Sequence, residues 1–231
     1  MTTVSGGTTL ELIGGVSVGN ALTLYGDGIG SGGALRSVSG TNSWTGTIVV
    51  GSNATYINSD SGILDITGVI SGNTAARGVR YGGSGTVEVS GSSTYTGVSE
   101  ISTGATLLLG NSNVLSSSSN VLFSGGALRN VSGNNSWAGT VTLATSTTRI
   151  NSDSGVLTLG GSSSISSSNI SLQVGGSSDV VVSGVMSLGS GTLSKDGGGR
   201  LTLAGVNVYS GVTNVNSGVL RLSNSNGREL S

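Results

Sequence analysis

The residues able to do chemistry in this chain are ten carboxylates, eight arginines, one lysine, five tyrosines and many serine and threonine hydroxyls. Histidine and cysteine are absent. Ser–His–Asp and Cys–His catalysis are therefore excluded, as are imidazole and thiolate metal sites. What remains is a pair of carboxylates working as acid and base, the chemistry that cleaves glycosidic bonds. The acids are Glu11, Asp27, Asp60, Asp65, Glu88, Glu100, Asp153, Asp179, Asp196 and Glu229, and none has an acidic neighbour within four residues. Asp60 and Asp153 lie in identical "INSDSG" segments, so stacking of like segments would bring them to one face. The competing reading makes "NSDSG" a turn in which Asp bonds its own backbone, and it is preferred. No catalytic, cofactor-binding or metal-binding residue is assigned, and the chain is expected not to be an enzyme.

Other motifs weaken in the same way. "GDGIGSGG" carries a G-x-G-x-x-G match at Gly28, Gly30 and Gly33. A dinucleotide loop needs a helix after it, and "ALRSVSG" reads as strand. Asp27 in the same stretch is a poor cage for calcium, which wants several oxygen ligands. Arg36 and Arg129 follow two copies of "GGAL" and form either a ligand-facing ladder or solvated arginines over a strand. The pattern of Ser, Thr or Val, then Trp or Tyr, any residue, then Gly occurs at Trp44, Tyr95, Trp137 and Tyr209. These aromatics form either a carbohydrate-stacking platform or turn packing at the same corner of successive coils. Turn packing is preferred.

Charge excludes several partners. Net charge is −1, with Lys195 the single lysine and the arginines scattered. Nucleic acid and anionic membranes demand clustered cations. No run is long enough to span a bilayer, and "MTTVSGGTTLELIGG" lacks the basic start and apolar stretch of a signal peptide. An export signal is therefore expected outside this chain, or another export route.

The elements that must position these residues are strands and turns. Glycine numbers 43, proline is absent, and only 8% of residues are charged. Such composition borders on disorder, but hydrophobic residues reach 35% and alternate with small polar ones. "LTLYG", "TVEVSG", "TLLLG" and "LTLAG" are short alternating runs ended by Gly, Ser or Asn. Glycine supplies positive φ at corners, and missing proline leaves every N–H free to pair with a neighbour.

Internal repetition sets the architecture. "GGALRSVSGTNSWTGT" (Gly32–Thr47) returns as "GGALRNVSGNNSWAGT" (Gly125–Thr140), at an offset of 93. Gly85–Asn113 returns as Gly199–Asn226, at an offset of 114 as far as Gly104 and Gly218 and with one residue fewer after them in the second copy. The second copy thus carries 21 additional residues between Gly155 and Gly199. A fold that accepts such an insertion is modular at that length, as a β-solenoid coil is. The expectation is one all-β domain over 1–231, an elongated parallel β-solenoid of about ten coils, with repeats over 32–113 and 125–226.

The segment "GGGRLTLAGVNVYSGVTNVNSGVLRLSNSN" (Gly197–Asn226) resembles the passenger-associated transport repeat of bacterial autotransporter passengers. Leu201, Leu203, Gly205, Tyr209, Gly211, Gly218, Leu220 and Leu222 carry the resemblance, and Gly82–Asn113 is similar. It implies a right-handed parallel β-helix displayed on, or released from, a bacterial cell, with a structural role and no cofactor. The chain lacks barrel segments and ends partway into a repeat, so it reads as a fragment or a secreted subunit. Flanking passenger segments are then expected neighbours.

Three functions follow as expectations: a rigid extracellular rod, a filament subunit stacking head to tail, or an adhesin holding a surface glycan or host protein through loops. For the filament, aligning "GGTTLEL" with "TGATLLL" and "SNSNGRELS" with "GNSNVLSSS" makes the first and last coils alike. Leu10, Leu12, Leu220 and Leu222 are the candidate end-to-end contacts, and the partner is a second copy of the chain.

Overall fold

The computed structural model describes residues 1–51, 54–72, 77–116, 119–145, 148–160 and 163–223. Glu229, Asn226 at the end of the second repeat, most of "SNSNGRELS" and the last two residues of "GNSNVLSSS" lie outside them. Among the described residues the chain is all-β, with one 3-10 turn at Ile29–Ser31. Among the described strands every pairing is parallel, and paired strands lie a full turn apart along the chain. The result is a three-faced β-solenoid.

The first face is a nine-stranded sheet running from Leu10–Ile13 to Val185–Ser187. The second is a ten-stranded sheet from Ser17–Val18 to Thr213–Val215. The third has a four-stranded part, from Thr2–Val4 to Ile70–Ser71, and a five-stranded part, from Asn135–Trp137 to Val219–Leu222. Two turns with no strand on this face among the described residues join these parts. An isolated bridge links Ile70 to Ser93. The Ser93 N–H then donates to the Val114 carbonyl at 2.7 Å, and the Val114 N–H to Asn135 Oδ1 at 3.1 Å.

Alternation decides which side chains enter the core. In Thr86–Val89 and Thr106–Leu109 the pattern of partial exposure and burial is identical, so Val87 stacks on Leu107 and Val89 on Leu109. One interior column on the second face runs Leu64, Val87, Leu107, Leu128, Ile150, Val174. Another on the first face runs Ile57, Tyr81, Ile101, Phe123, Leu143. Each aliphatic side chain buried this way stabilises the fold by roughly 2 kcal/mol relative to exposure.

Turn length varies. Thr2 is in register with Leu22, and Leu22 with Ile48, so the second of these turns is the longer. Corners absorb the difference. At many corners the backbones approach so closely that only glycine fits: a Cβ on Gly68 would sit 1.9 Å from the Gly46 carbonyl oxygen, and one on Gly46 would sit 2.2 Å from that of Asn20.

The sequence repeat and the turn are not the same unit. Leu35–Ser39 lies on the first face, and its equivalent Ala127–Asn130 lies on the second, four turns and one face later. Thr86–Val89 lies on the second face, and its equivalent Arg200–Leu203 lies on the third, five turns and one face later. All three faces demand the same alternation, so one sequence can build any of them. Cumulative residue count decides which.

Candidate functional site

This one-face rotation separates residues that repetition had placed together. Asp60 follows the first-face strand Thr55–Ser59, and Asp153 follows the second-face strand Thr148–Ser152. The expected shared face for the two acids is therefore corrected: they sit on different faces, each occupied by an arginine. Arg36 Nε donates to Asp60 Oδ2 at 2.7 Å, and Arg129 Nε to Asp153 Oδ2 at 2.8 Å. Glu11 adds a second carboxylate to Arg36 at 3.2 Å. Ser84 and Ser177 donate to the backbone carbonyls of Asp60 and Asp153, each at 2.7 Å. The repeated line thus encodes an Arg–Asp clasp between adjacent turns. The pairs are partly solvated, so each contributes little. Arg129→Ala is expected to lower stability by about 0.5 kcal/mol in denaturant melts, and this loss should shrink in high salt.

The four aromatics are likewise distributed. Trp44 ends a second-face strand and Trp137 a third-face strand. Tyr95 precedes the first-face strand Val98–Ser102, and Tyr209 precedes the second-face strand Thr213–Val215. The expectation of one common corner for all four is corrected for the same reason, one face per repeat; Tyr95 and Trp137 do share a corner, between the third and first faces, two turns apart. All four rings are at most 4% exposed, so they offer no stacking platform on the surface. The Tyr95 hydroxyl pairs with Ser99 at 2.7 Å and Tyr81 at 3.1 Å, and the Tyr209 hydroxyl with Thr213 at 2.8 Å. Burial pushes the Tyr81 and Tyr95 hydroxyls above the ordinary tyrosine value, which keeps them neutral donors. The glycine two residues after Tyr209 marks close backbone contact: a Cβ on Gly211 would lie 2.0 Å from the Gly191 oxygen.

In "GDGIGSGG" the chain doubles back: the Gly33 N–H bonds the Asp27 carbonyl at 2.8 Å, and the strand Leu35–Ser39 follows. Among the described residues no three His, Cys, Asp or Glu side chains form a metal-sized group. Lys195 occupies an inward position above Val174, 2% exposed. Its Nζ donates to the carbonyls of Asp196, Gly197 (2.9 Å) and Ser217 (3.3 Å). Burial pushes this lysine below its ordinary value, opposed by Asp196 and Asp179.

One carboxylate pair escaped the sequence. Asp65 and Glu88 are register partners on neighbouring strands of the second face, one turn apart along the chain. Strand spacing puts them roughly 5 Å apart. Their flanking register partners are Ser43 and Leu108. Arg129 pairs across Leu108, one strand further, and is held by Asp153. Burial pushes both carboxyls upward, a Ser90 hydrogen bond opposes this at Asp65, and Asp65 pushes Glu88 further. Folded-state values above the unfolded ones mean that the folded chain binds protons more readily. Stability contributed by the pair therefore rises as pH falls through the folded values, and the gain is complete below the ordinary values of 3.8 and 4.5. The double variant Asp65→Asn, Glu88→Gln is expected to be more stable than the parent at pH 7. The difference should vanish below pH 3.8, read from denaturation midpoints of the two proteins side by side. A constant difference across pH would refute the repulsion.

At the two ends the interior differs. Val4 and Leu12 in the first turn are 6% and 4% exposed. Leu10 is partly buried against the same core. At the far end Val215 and Leu222 face inward, stacked on Lys195 and Leu203, yet are 51% and 47% exposed. Leu220 there is partly buried.

The fold and these features define a parallel β-solenoid whose titratable groups serve mainly to join turns. Two segments, 82–109 and 193–222, match the family model of the passenger-associated-transport-repeat. They span about a quarter of the chain. Comparison with curated proteins and with solved structures gave no match.

Proposed function

We propose that the chain is a rigid, non-enzymatic structural module of a bacterial surface passenger, working outside the cell. The observation that carries this reading is the unbroken stack: a ten-stranded face over one aliphatic core, with passenger-associated repeats in two places. Ten strands at sheet spacing make a rod of about 45 Å. Length then scales with turn number, because each turn touches only its neighbours. Gly176 and Gly197 occupy one corner column, one turn apart. Duplicating residues 176–196 should lengthen the rod by about 5 Å in small-angle scattering and leave it folded. An unchanged length, or collapse of the fold, would remove the reading. For the surface placement, the chain fused to an outer-membrane export barrel should become protease-accessible on intact cells.

A second reading is a filament subunit. The half-exposed inward residues Val215 and Leu222 favour it, since an open turn presents unpaired strand edges and core side chains to another turn. On this reading a second copy's Thr2–Val4 strand stacks on Val219–Leu222, both on the third face. Leu222→Asp should then abolish fibres seen by electron microscopy in a concentration series; a parent that stays monomeric throughout disposes of it.

A further inference from the structure

We propose that the groove on the third face, where its strands lapse between Ile70–Ser71 and Asn135–Trp137, binds a neutral saccharide. The groove is a shallow, open depression of about 550 Å³ lined by Ser93, Thr94, Asn113, Leu115, Ser116 and Ser136. That volume suits a small ligand. None of the six is charged, so a phosphate, carboxylate or cation would be desolvated there without an ionic partner. Hydroxyls, an amide and one aliphatic side chain match the mixed O–H and C–H surface of a pyranose.

The groove follows from the local sequence. In "GSSTYTG" (Gly91–Gly97) the tyrosine turns into the core, and a turn with a single bridge at Ser93 replaces a third-face strand. The next turn, at Val114, also lacks a strand on this face. Ser93 is 6% exposed, and its hydroxyl has no hydrogen-bond partner among the described residues. A buried hydroxyl left unpaired is costly.

The second copy provides an internal comparison. "GVNVYSG" (Gly205–Gly211) places Asn207 where the first copy has Ser93. Asn207 satisfies itself: Oδ1 accepts from the Met186 N–H at 3.3 Å, and Nδ2 donates to the Gly205 carbonyl at 3.1 Å. Where the longer amide reaches backbone, the shorter serine keeps its hydroxyl unpaired beneath the groove surface. Rotation of the Ser93 side chain toward the groove would let a sugar hydroxyl seated over it complete that hydrogen bond.

The test uses the whole chain with cellotriose, chitotriose and mannotriose as probes, followed by NMR titration and calorimetry. At least one should bind at millimolar or lower concentration. Ser93→Asn, which installs the pairing seen at Asn207, and Ser136→Arg, which projects into the groove from an exposed position, should each weaken binding by about tenfold or more. Thermal melts of both variants confirm folding, and should Ser93→Asn fold poorly, Ser136→Arg decides. Failure of all three sugars to bind overturns the proposal. So does binding that both variants leave unchanged. Equal binding of a charged probe, galacturonic acid trimer, would overturn its neutral specificity.

Discussion

Gly68→Ala is expected to lower unfolding free energy by about 3 kcal/mol, although it adds a single methyl group. Gly68 has an ordinary backbone conformation, so the effect is not one of φ. The new Cβ would stand 1.9 Å from the Gly46 oxygen, 2.6 Å from its carbonyl carbon and 3.0 Å from the Thr45 oxygen. These are backbone atoms of the turn beneath, and no rotamer relieves the clash. The two turns must separate at that corner, which weakens the pairing that the Thr67 and Gly68 N–H groups make with the Trp44 carbonyl. Because a solenoid holds together through nearest neighbours, the N-terminal turns should then exchange amide hydrogens faster than the rest. Gly198→Ala is the control, since nothing lies within 4 Å of a Cβ there. It should change stability by no more than about 0.5 kcal/mol. Equal effects at Gly68 and Gly198 would show that the stack is looser at its corners than these distances state.

Asn135→Leu is expected to cost about 3 kcal/mol, though the two side chains are similar in size. Asn135 is 3% exposed and points into the core. Its Oδ1 accepts from the Val114 N–H at 3.1 Å, and its Nδ2 donates to the Asn111 carbonyl at 2.7 Å and to Asn130 Oδ1 at 2.8 Å. Leucine would strip these groups of their partner, two of them on the buried residues Val114 and Asn130. The repeat-equivalent Asn42 does the same work four turns and one face away. Its Oδ1 takes the Gly15 and Val16 N–H groups at 3.0 and 2.8 Å, and its Nδ2 bonds Ser37 Oγ at 2.8 Å. The sites share no partner, so the double variant should show additive losses. Asn214→Leu, at an exposed position, should be nearly neutral. Chemical denaturation of the four proteins settles the comparison; a neutral Asn135→Leu would mean that the turns are joined by aliphatic packing alone.

Both effects bear on what could be read from residues in order. The alternation in "TVEV" and "TLLL" announced inward Val87, Val89, Leu107 and Leu109, because side chains of a strand point alternately to its two faces. Glycine at the corners was legible for a similarly local reason. The buried asparagines looked like turn residues. The signal that set them apart was the adjoining Trp in "TNSW" and "NNSW", which marks a strand entering the core. Asp65 and Glu88 could not be paired from the sequence. Turns as unequal as Thr2 to Leu22 and Leu22 to Ile48 leave the neighbour of any side chain uncertain by several positions. The groove at Ser93 was hidden as well, because its two unstranded levels become adjacent only after stacking.

The sequence by itself determined the class of structure: parallel strands, glycine corners, a modular turn set by the length of the insertion, and no imidazole or thiol chemistry. These depend on residue type and on a period of two, which any short window contains. The tertiary structure alone decided which face each copy of the repeat occupies, and so which side chains meet. Arg36 and Arg129 share a sequence context and clasp equivalent acids on different faces. Face assignment is a running sum over many turns, and a few residues at each corner are enough to rotate everything that follows.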